Sequence, residues 1–341
     1  MALPDSPENN TSDYIDEEEI IAVFVPDHLA GERLDKVLAQ LVPQHSRNRL
    51  KTWIEDGFVT IAGQVPKIRY AAQAGDHIVV IPQASDEEQA YVPEDIPLDI
   101  VYEDSEILVI HKPAGMVVHP ANGNWSGTLL NGLLYRYPQI ASVPRAGIVH
   151  RLDKDTSGLL MVAKTLEAQT DLVRQLQSRQ VIRRYLALAW GQVRSQTVHS
   201  PIGRDPRDRL KMALITGSAG KPAVTHVELL EMGAFNKAKV SLVACRLETG
   251  RTHQIRVHLE SLGNALVGDP VYKKKNPADA SILEFSRGGQ ALHAAVLGIK
   301  HPKTKEELLW QAPMPEDMKE LALRLNVPEG ALWPDWESLN V

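Results

Sequence analysis

Residues 82–98 most constrain the fold, because they divide the chain into two parts of unequal length. The stretch contains three prolines and five acidic residues, and it has no lysine or arginine. Proline removes a backbone donor, and like charges repel, so such a segment favours an extended linker. We therefore predict a linker at 82–98, a small module before it at 20–81 and a larger domain after it at 99–325.

The composition is typical of a soluble, intracellular protein. The chain has 341 residues, 43% of them hydrophobic, which is enough for two ordinary domains with their own cores. The single cysteine, Cys245, excludes an intramolecular disulfide framework and a multi-thiolate metal site. We find neither a signal peptide pattern nor an apolar run of membrane length, and we expect a cytoplasmic location.

The charges are unevenly distributed. The formal net charge is −6, but residues 1–20 carry seven acids, residues 82–106 carry nine, and neither segment has a lysine or arginine. In the rest of the chain, 27 acids face 37 lysines and arginines. A basic body is compatible with a nucleic-acid partner. Residues 1–19 are too polar to offset their ordering entropy, and we predict a disordered acidic tail there.

The module at 20–81 contains two predicted helices. Leu34, Val37, Leu38 and Leu41 recur at helical spacing and form one apolar face, and Pro43 ends this first helix.

Ser46 is a suitable N-cap for the second helix, which ends at Gly57 and points Leu50, Trp53 and Ile54 to the core. Residues 59–61 and 77–81 are predicted as strands. This pattern, with Arg-Leu-Asp-Lys-Val-Leu at 33–38 and Ser-Arg-Asn-Arg-Leu at 46–50, resembles the S4 RNA-binding domain. The resemblance implies phosphate contacts from Arg47, Arg49, Lys51 and Lys67. A small helical domain with a solvated basic face is the alternative.

The second domain contains the sequence His-Arg-Leu-Asp-Lys-Asp-Thr-Ser-Gly-Leu-Leu at 150–160. Thr156, Ser157 and Gly158 favour a turn, so Asp153 is presented just before a strand at 159–163. An isolated aspartate in such a place usually caps its own turn. The complete string, however, resembles the catalytic motif of the RluA family of pseudouridine synthases. The resemblance implies that Asp153 is catalytic and that Arg151 occupies the position vacated by a flipped base.

A second motif lies in a predicted strand at 182–190. Leu186, Leu188 and Trp190 share one face, opposite to Tyr185. A tyrosine in a strand usually packs in the core. The sequence Arg-Tyr-Leu-Ala nevertheless resembles the family segment whose tyrosine lies in the active site, which implies that Tyr185 holds the base or takes part in proton transfer.

A third motif follows a predicted strand at 240–247, which turns at Thr249-Gly250 into a helix closed by Gly263. Arg256 lies beside the apolar face of this helix, where a buried guanidinium needs a carboxylate partner. The segment resembles the family motif Gly-Arg-x-His-Gln-Ile-Arg-Val-His, and the resemblance implies that Arg256 pairs with Asp153. Ile255 in this motif and Lys112, in a Lys-Pro-x-Gly segment, are assigned to substrate binding in the same way.

Competing site types fit the sequence less well. It has no His-Glu-x-x-His motif, no Cys/His pairing and no complete phosphate loop, so we expect neither a metal nor a cofactor. Asp153 and Asp155 are neighbours on one turn, whereas glycosidase carboxylates lie across a sugar. The basic stretch from 203 to 225 is hairpin-like and is interpreted with equal weight as an RNA-contacting arm or a solvated loop.

We therefore predict an α+β protein, with an S4-like domain followed by a catalytic domain that has a mixed, mostly antiparallel sheet flanked by helices. The resemblance leaves residues 326–341 as a C-terminal tail. It implies isomerisation of uridine to pseudouridine, and stretches at 95–104, 143–156 and 220–226 are most similar to the branch that modifies the helix 69 loop of 23S ribosomal RNA.

The expected partner is 23S ribosomal RNA or the pre-50S subunit, bound by a monomer. Other 23S or transfer RNA sites, a non-catalytic RNA-binding assembly factor and a uracil-releasing hydrolase remain alternatives. The resemblance leaves open whether Asp153 attacks C1′, attacks the base or removes a 2′ proton.

Overall fold

The computed structural model describes residues 20–341, except residues 68, 84–89, 122, 209–210, 218, 236, 273–288 and 340. The tail predicted at 1–19 lies outside the described residues. The chain divides into two compact units, residues 1–87 and residues 88–341.

The N-terminal unit combines a three-stranded sheet with two helices. The strands are β1 (Ile21–Phe24), β2 (Val59–Ile61) and β3 (His77–Val80), and β3 pairs antiparallel with both of the others. The helices are α1 (Leu34–Leu41) and α2 (Arg47–Glu55). Both helices and the strands β2 and β3 agree with the sequence prediction, and β1 is an additional element.

Both helices bury the apolar faces that their spacing predicts. Leu34 and Leu38 of α1 and Leu50 of α2 have no accessible surface. Ser46 caps α2, because its hydroxyl accepts a hydrogen bond from the Arg49 N–H at 3.3 Å. The basic side chains of α2 consequently lie on the side away from the core.

The C-terminal unit is built on a nine-stranded sheet. The strands of the sheet are β4 (Ile100–Glu103), β5 (Ile107–Lys112), β6 (Ser157–Ala163), β7 (Ile182–Trp190), β8 (Gln196–His199), β11 (Val224–Phe235), β12 (Ala238–Leu247), β13 (Leu292–Lys300) and β14 (Glu307–Gln311). They follow the order β4-β5-β6-β13-β7-β12-β11-β8, and β14 also pairs with β13. Only the pair of β6 and β13 is parallel among these described strands, so the predicted mixed, mostly antiparallel sheet is confirmed.

Helices cover both faces of this sheet. They are α3 (Leu129–Arg136), α4 (Leu166–Gln177), α5 (Gln254–Ser261) and α6 (Glu316–Arg324). Because side chains alternate along a strand, β7 contributes to two cores. Tyr185 and Ala187 pack with α3 and α5, whereas Leu186 and Leu188 pack with α6 on the opposite face, as predicted.

A small hairpin lies beside the main sheet. It consists of β9 (Ile202–Arg204) and β10 (Met212–Leu214), which pair antiparallel. The hairpin-like part of the basic stretch is therefore present in the structure.

Two segments belong more closely to the C-terminal unit than the sequence indicates. The described end of the expected linker contacts α3, since Asn131 Nδ2 donates to the Val92 carbonyl at 2.8 Å. The expected C-terminal tail is also packed: Val327, Trp336 and Val341 are buried with α6. The tail and linker assignments are wrong there because apolar side chains spaced along an irregular segment show no periodicity to recognise.

Candidate active site

The turn that carries Asp153 is fixed by backbone contacts at both ends. Thr156 N–H donates to the Asp153 carbonyl at 3.1 Å, and Leu152 is buried in the core. Gly158 has φ +115°, and a Cβ there would lie 2.2 Å from the Ala294 carbonyl of β13. Only glycine permits this close approach, which brings the turn directly against the sheet.

Lys112, at the end of β5, also fixes this turn. Its side chain has no accessible surface, and Nζ donates to the carbonyls of Pro113, Met116 and Lys154 at 2.7, 2.8 and 3.0 Å. The assignment of Lys112 to substrate binding is therefore corrected: three backbone carbonyls accept hydrogen bonds from the ammonium group, which fixes the loop that follows Asp153.

Asp153 and Arg256 meet as predicted. Arg256 Nη1 donates to Asp153 Oδ2 at 3.0 Å, and only 4% of the Arg256 side chain is exposed. Arg256 Nε and Nη2 also donate to the two oxygens of Asp269 at 2.8 and 2.9 Å. Burial alone would lower the pKa of Arg256, but the bonds to Asp269 and the charge of Asp153 raise it above its ordinary value. The guanidinium thus carries a fixed positive charge against the Asp153 carboxylate.

Asp269 is a site residue that the sequence analysis missed. Its side chain is fully buried, and Oδ1 also accepts hydrogen bonds from the N–H groups of Val271 and Tyr272 at 2.8 and 2.9 Å. Asp269 therefore determines where the Arg256 fork points. The Gly268-Asp269-Pro270 sequence suggests an ordinary turn, so no local signal distinguishes it.

His253 and Tyr272 form a second group beside Asp153. His253 Nε2 lies 4.0 Å from Asp153 Oδ1, and His253 Nδ1 lies 2.8 Å from Tyr272 Oη. Tyr272 Oη also accepts the Met212 N–H of β10 at 2.9 Å. If the Tyr272 hydroxyl donates to Nδ1, the His253 proton is on Nε2, facing Asp153.

Burial lowers the pKa of His253, opposed by the charge of Asp153, and raises the pKa of Tyr272 to about 12. Both side chains are thus neutral at pH 7. His253 precedes α5 with φ 57° and ψ 22°, a left-handed conformation that is rare outside glycine. The sequence analysis assigned no role to His253, although its place in the same motif as Arg256 was an available signal.

Tyr185 lies on the face of β7 that is turned to this group. It is almost fully buried, and burial raises the pKa of its hydroxyl, while the charge of Arg183 lowers it and that of Asp153 raises it. Tyr185 is therefore a neutral phenol within electrostatic range of the Asp153 carboxylate. Its position is compatible with either base stacking or proton transfer.

The two remaining predicted substrate contacts differ in exposure. Arg151 is exposed, two residues before Asp153. It lies in electrostatic range of His119, whose pKa is lowered to about 4 by burial and by the charges of Arg145 and Arg151. Ile255 is 4% exposed and belongs to the core cluster that also contains residues of α3, and its assignment to substrate binding stays a prediction.

The predicted phosphate-binding residues lie in the N-terminal unit and differ in their partners. Arg47 Nη2 donates to the buried carboxylate of Asp35 at 2.7 Å, and Lys51 lies 3.4 Å from Glu55. Arg49 stacks over Trp53, with 5.1 Å from Cζ to the ring centroid. Lys67 is exposed.

Other types of site find no support in the described residues. Within the part of the chain that the structure describes, no cluster of three or more His, Cys, Asp or Glu side chains is arranged to hold a metal ion. In the same ranges, no helix is both long and apolar enough to cross a membrane. Burial raises the pKa of the Cys245 thiol to about 12, so it is not a nucleophile at neutral pH.

The mixed sheet, the turn that carries Asp153 and its bond to Arg256 are what the resemblance to pseudouridine synthases implies. Comparison with known families agrees. A family model described as RNA pseudouridylate synthase matches residues 106–261, and one described as S4 domain matches residues 32–78. We therefore call the two units the catalytic domain and the S4 domain.

Similar proteins make the assignment more specific. The chain is 49% identical over 333 residues to ribosomal large subunit pseudouridine synthase D of Nitrosomonas europaea, covering 96% of this chain and 94% of that one. It is 52% identical over 307 residues to the protein of the same name from Pseudomonas aeruginosa, covering 87% and 92%. The structure of human RNA pseudouridylate synthase domain containing 1 matches with TM-score 0.54 and 28% identity, over 75% of this chain and 94% of that one. The chain belongs to the RNA pseudouridylate synthase family, and it is an enzyme of that class.

Proposed function

We propose that the enzyme isomerises uridines of the large-subunit (23S) ribosomal RNA, in the helix 69 loop. The observation that carries this proposal is its identity of 49% and 52% to two proteins named ribosomal large subunit pseudouridine synthase D, over nearly their whole length. We further propose that it acts as a cytoplasmic monomer on this RNA, free or within the pre-50S subunit.

The reaction needs a group that engages the ribose or base and a pocket that retains the base. In the isomerisation, the bond from C1′ to N1 breaks, a bond from C1′ to C5 forms, the C5 hydrogen leaves as a proton and N1 gains one. We assign the engaging group to Asp153, which is partly exposed at 15%. Arg256 positions this carboxylate through a charge-assisted hydrogen bond of 3.0 Å. Tyr185 retains the base during its rotation.

Access to C1′ requires the uridine to leave its stack. This costs a few kcal/mol in a helix and less in a loop, which favours loop uridines as substrates. Arg151 is exposed next to Asp153, and we assign it to the position that the base leaves. In the S4 domain, Arg47, Arg49, Lys51 and Lys67 would then contact phosphates and set the position of the RNA more than its sequence.

Tritium release from 23S ribosomal RNA and a helix 69 fragment, both labelled with 5-³H-uridine, tests the proposal. We expect release by the wild type and a loss of about a thousandfold or more in Asp153→Asn. Asp155→Asn is the matched control, because Asp155 lies on the same turn, and we expect it to retain most activity.

Nucleoside analysis must find pseudouridine in the product. Free uracil would instead indicate a hydrolase. Release from transfer RNA alone would contradict the ribosomal target, and a cellular role that persists in Asp153→Asn would indicate a non-catalytic assembly factor.

A further inference from the structure

Arg183 is a buried arginine close to the active site that the mechanism does not yet use. It lies on β7 two residues before Tyr185, so both side chains are on the same face of the sheet. Arg183 is only 6% exposed. Its charge also acts on the neutral His150, which precedes the Asp153 turn.

The guanidinium of Arg183 is poorly satisfied. Nη2 donates to the Glu248 carbonyl at a long 3.3 Å, and the buried Nε has no hydrogen-bond partner among the residues that the structure describes. No carboxylate of the described residues pairs with Arg183, whereas Arg256 has two. A buried cation without an anion is costly, and burial lowers the pKa of Arg183 accordingly.

The Nη1 side of the guanidinium lies against the backbone of the turn at Gly250. A Cβ on Gly250 would lie 2.7 Å from Arg183 Nη1, so the glycine lets this turn lie against the planar fork. The turn at Gly250 leads directly to His253, which is 4.0 Å from Asp153. Arg183 thus contacts the turn that leads to His253, and it shares its face of β7 with Tyr185.

We propose that Arg183 binds a backbone phosphate next to the target uridine once that nucleotide has entered the pocket. Uracil and ribose are neutral, so the phosphodiester groups are the anions that the RNA brings to this place. A guanidinium fork matches a phosphate in geometry and charge, and the bond is stronger away from water. Arg183 is thereby a substrate-binding residue that completes its charge balance only in the RNA complex.

Neutral phosphate analogues test this on the wild-type enzyme itself. Two substrates carry a single methylphosphonate, one on the 5′ side and one on the 3′ side of the target uridine. We expect one of them to lower kcat/KM about ten- to a hundredfold, the effect of losing a hydrogen bond to a charged group. If neither substitution changes kcat/KM, Arg183 has no phosphate partner and the proposal is wrong.

Two variants connect the effect to Arg183. In Arg183→Gln, KM should rise by a similar factor. The methylphosphonate should then lower kcat/KM of this variant less than threefold further. The plot of log affinity against log salt concentration should lose about 0.7 in slope. Arg183→Lys should recover part of the affinity. Undiminished sensitivity of Arg183→Gln to the methylphosphonate would show that the phosphate binds elsewhere.

Arg184→Gln is the matched control. Arg184 lies on the opposite face of the same strand, where Nη1 donates to the Trp336 carbonyl at 2.8 Å. We expect its KM and its response to the methylphosphonate to equal those of the wild type.

The inference rests on the proposed function only for the choice of RNA. The unmodified helix 69 fragment, assayed with the wild type, tests the ribosomal target. If that fragment is inert, the methylphosphonates are placed in whichever ribosomal or transfer RNA the wild type does modify, so the two proposals fail separately.

Discussion

The S4 domain and the catalytic domain each contain an arginine–aspartate pair, with similar bond lengths and different surroundings. Arg47 donates to Asp35 at 2.7 Å, and Arg256 donates to Asp269 at 2.8 Å. The Arg47 side chain is 51% exposed, whereas that of Arg256 is 4% exposed. Water can therefore replace the partner of Arg47, but it cannot replace the partner of Arg256.

This difference separates two uses of the same residue types. In the S4 domain, burial of Asp35 would raise its pKa, but the hydrogen bonds from Arg47 and Arg33 outweigh burial and lower it. The arginines remain free to contact RNA with their other donors. In the catalytic domain, Arg256 donates from Nε, Nη1 and Nη2 to two aspartates, which supports its proposed role of positioning Asp153.

Replacing the buried aspartate should have the largest effect. Asp269→Asn removes the charge that balances Arg256, and breaking a buried ion pair typically costs about 3 kcal/mol of the free energy of unfolding. We also expect kcat to fall at least tenfold, with a smaller change in KM, because Arg256 loses its orientation. Chemical denaturation and single-turnover tritium release measure the two effects.

The same substitution in the S4 domain is the control for this comparison. Asp35→Asn leaves Arg33 and Arg47 partly in water, and we expect a loss of about 1 kcal/mol with kcat unchanged. Equal losses of stability in the two variants would contradict the distinction between the pairs.

Tyr272→Phe should have an intermediate effect. It removes the hydroxyl between the Met212 N–H and His253 Nδ1, at a cost of about 1 kcal/mol. His253 then loses the bond that fixes its tautomer beside Asp153, so kcat should fall severalfold. Differential scanning calorimetry and initial rates check this, and an unchanged kcat would show that His253 plays no part in positioning.

Acid should destabilise the catalytic domain through His150. Burial and the charge of Arg183 lower the pKa of His150 to about 3, and its Nε2 accepts the Met161 N–H at 3.0 Å. The unfolded chain therefore binds more protons between its ordinary pKa of about 6.5 and pH 3, and this contribution to stability is lost as pH falls through that window.

In His150→Gln, the difference in Tm between pH 7 and pH 5 should shrink by about 4 °C, because glutamine keeps an acceptor and does not titrate. The exposed His199→Gln serves as the control, with the wild-type dependence expected. An identical dependence in His150→Gln and wild type would rule out this group as the source.

The pair of Asp153 and Arg256 could be predicted because each lies in a contiguous motif and a buried guanidinium demands a carboxylate. Asp269 could not, since many aspartates in turns have the same local sequence and only tertiary packing selects one. The misassignment of Lys112 has a similar cause. Its three acceptors are backbone carbonyls from folded loops, and side-chain patterns contain no information about them.

In the fold as well, regular sequence patterns were predicted correctly and contacts made only by tertiary packing were missed. Helices α1 and α2 and strand β7 have regular apolar spacing, and their faces were predicted correctly. The packing of Val327 and Trp336 against α6 was missed, because an irregular segment has no period even when its side chains complete a core.

The smallest effect is expected in the S4 domain, and it concerns RNA rather than stability. Lys67 is exposed and forms no ion pair with the residues that the structure describes, whereas Arg47 is bonded to Asp35 and must share its donors. Lys67→Gln should therefore weaken RNA binding a fewfold at low salt and reduce the salt slope by about 0.7. Arg47→Gln should change affinity less and cost below about 1 kcal/mol of stability, because Arg33 still neutralises Asp35.

Filter binding over a salt series, together with thermal melts, separates the effects of Lys67→Gln and Arg47→Gln. A larger loss of affinity in Arg47→Gln would mean that the exposed pair opens on RNA binding, and the contrast with the buried Arg256 pair would become one between a breakable and a permanent bond.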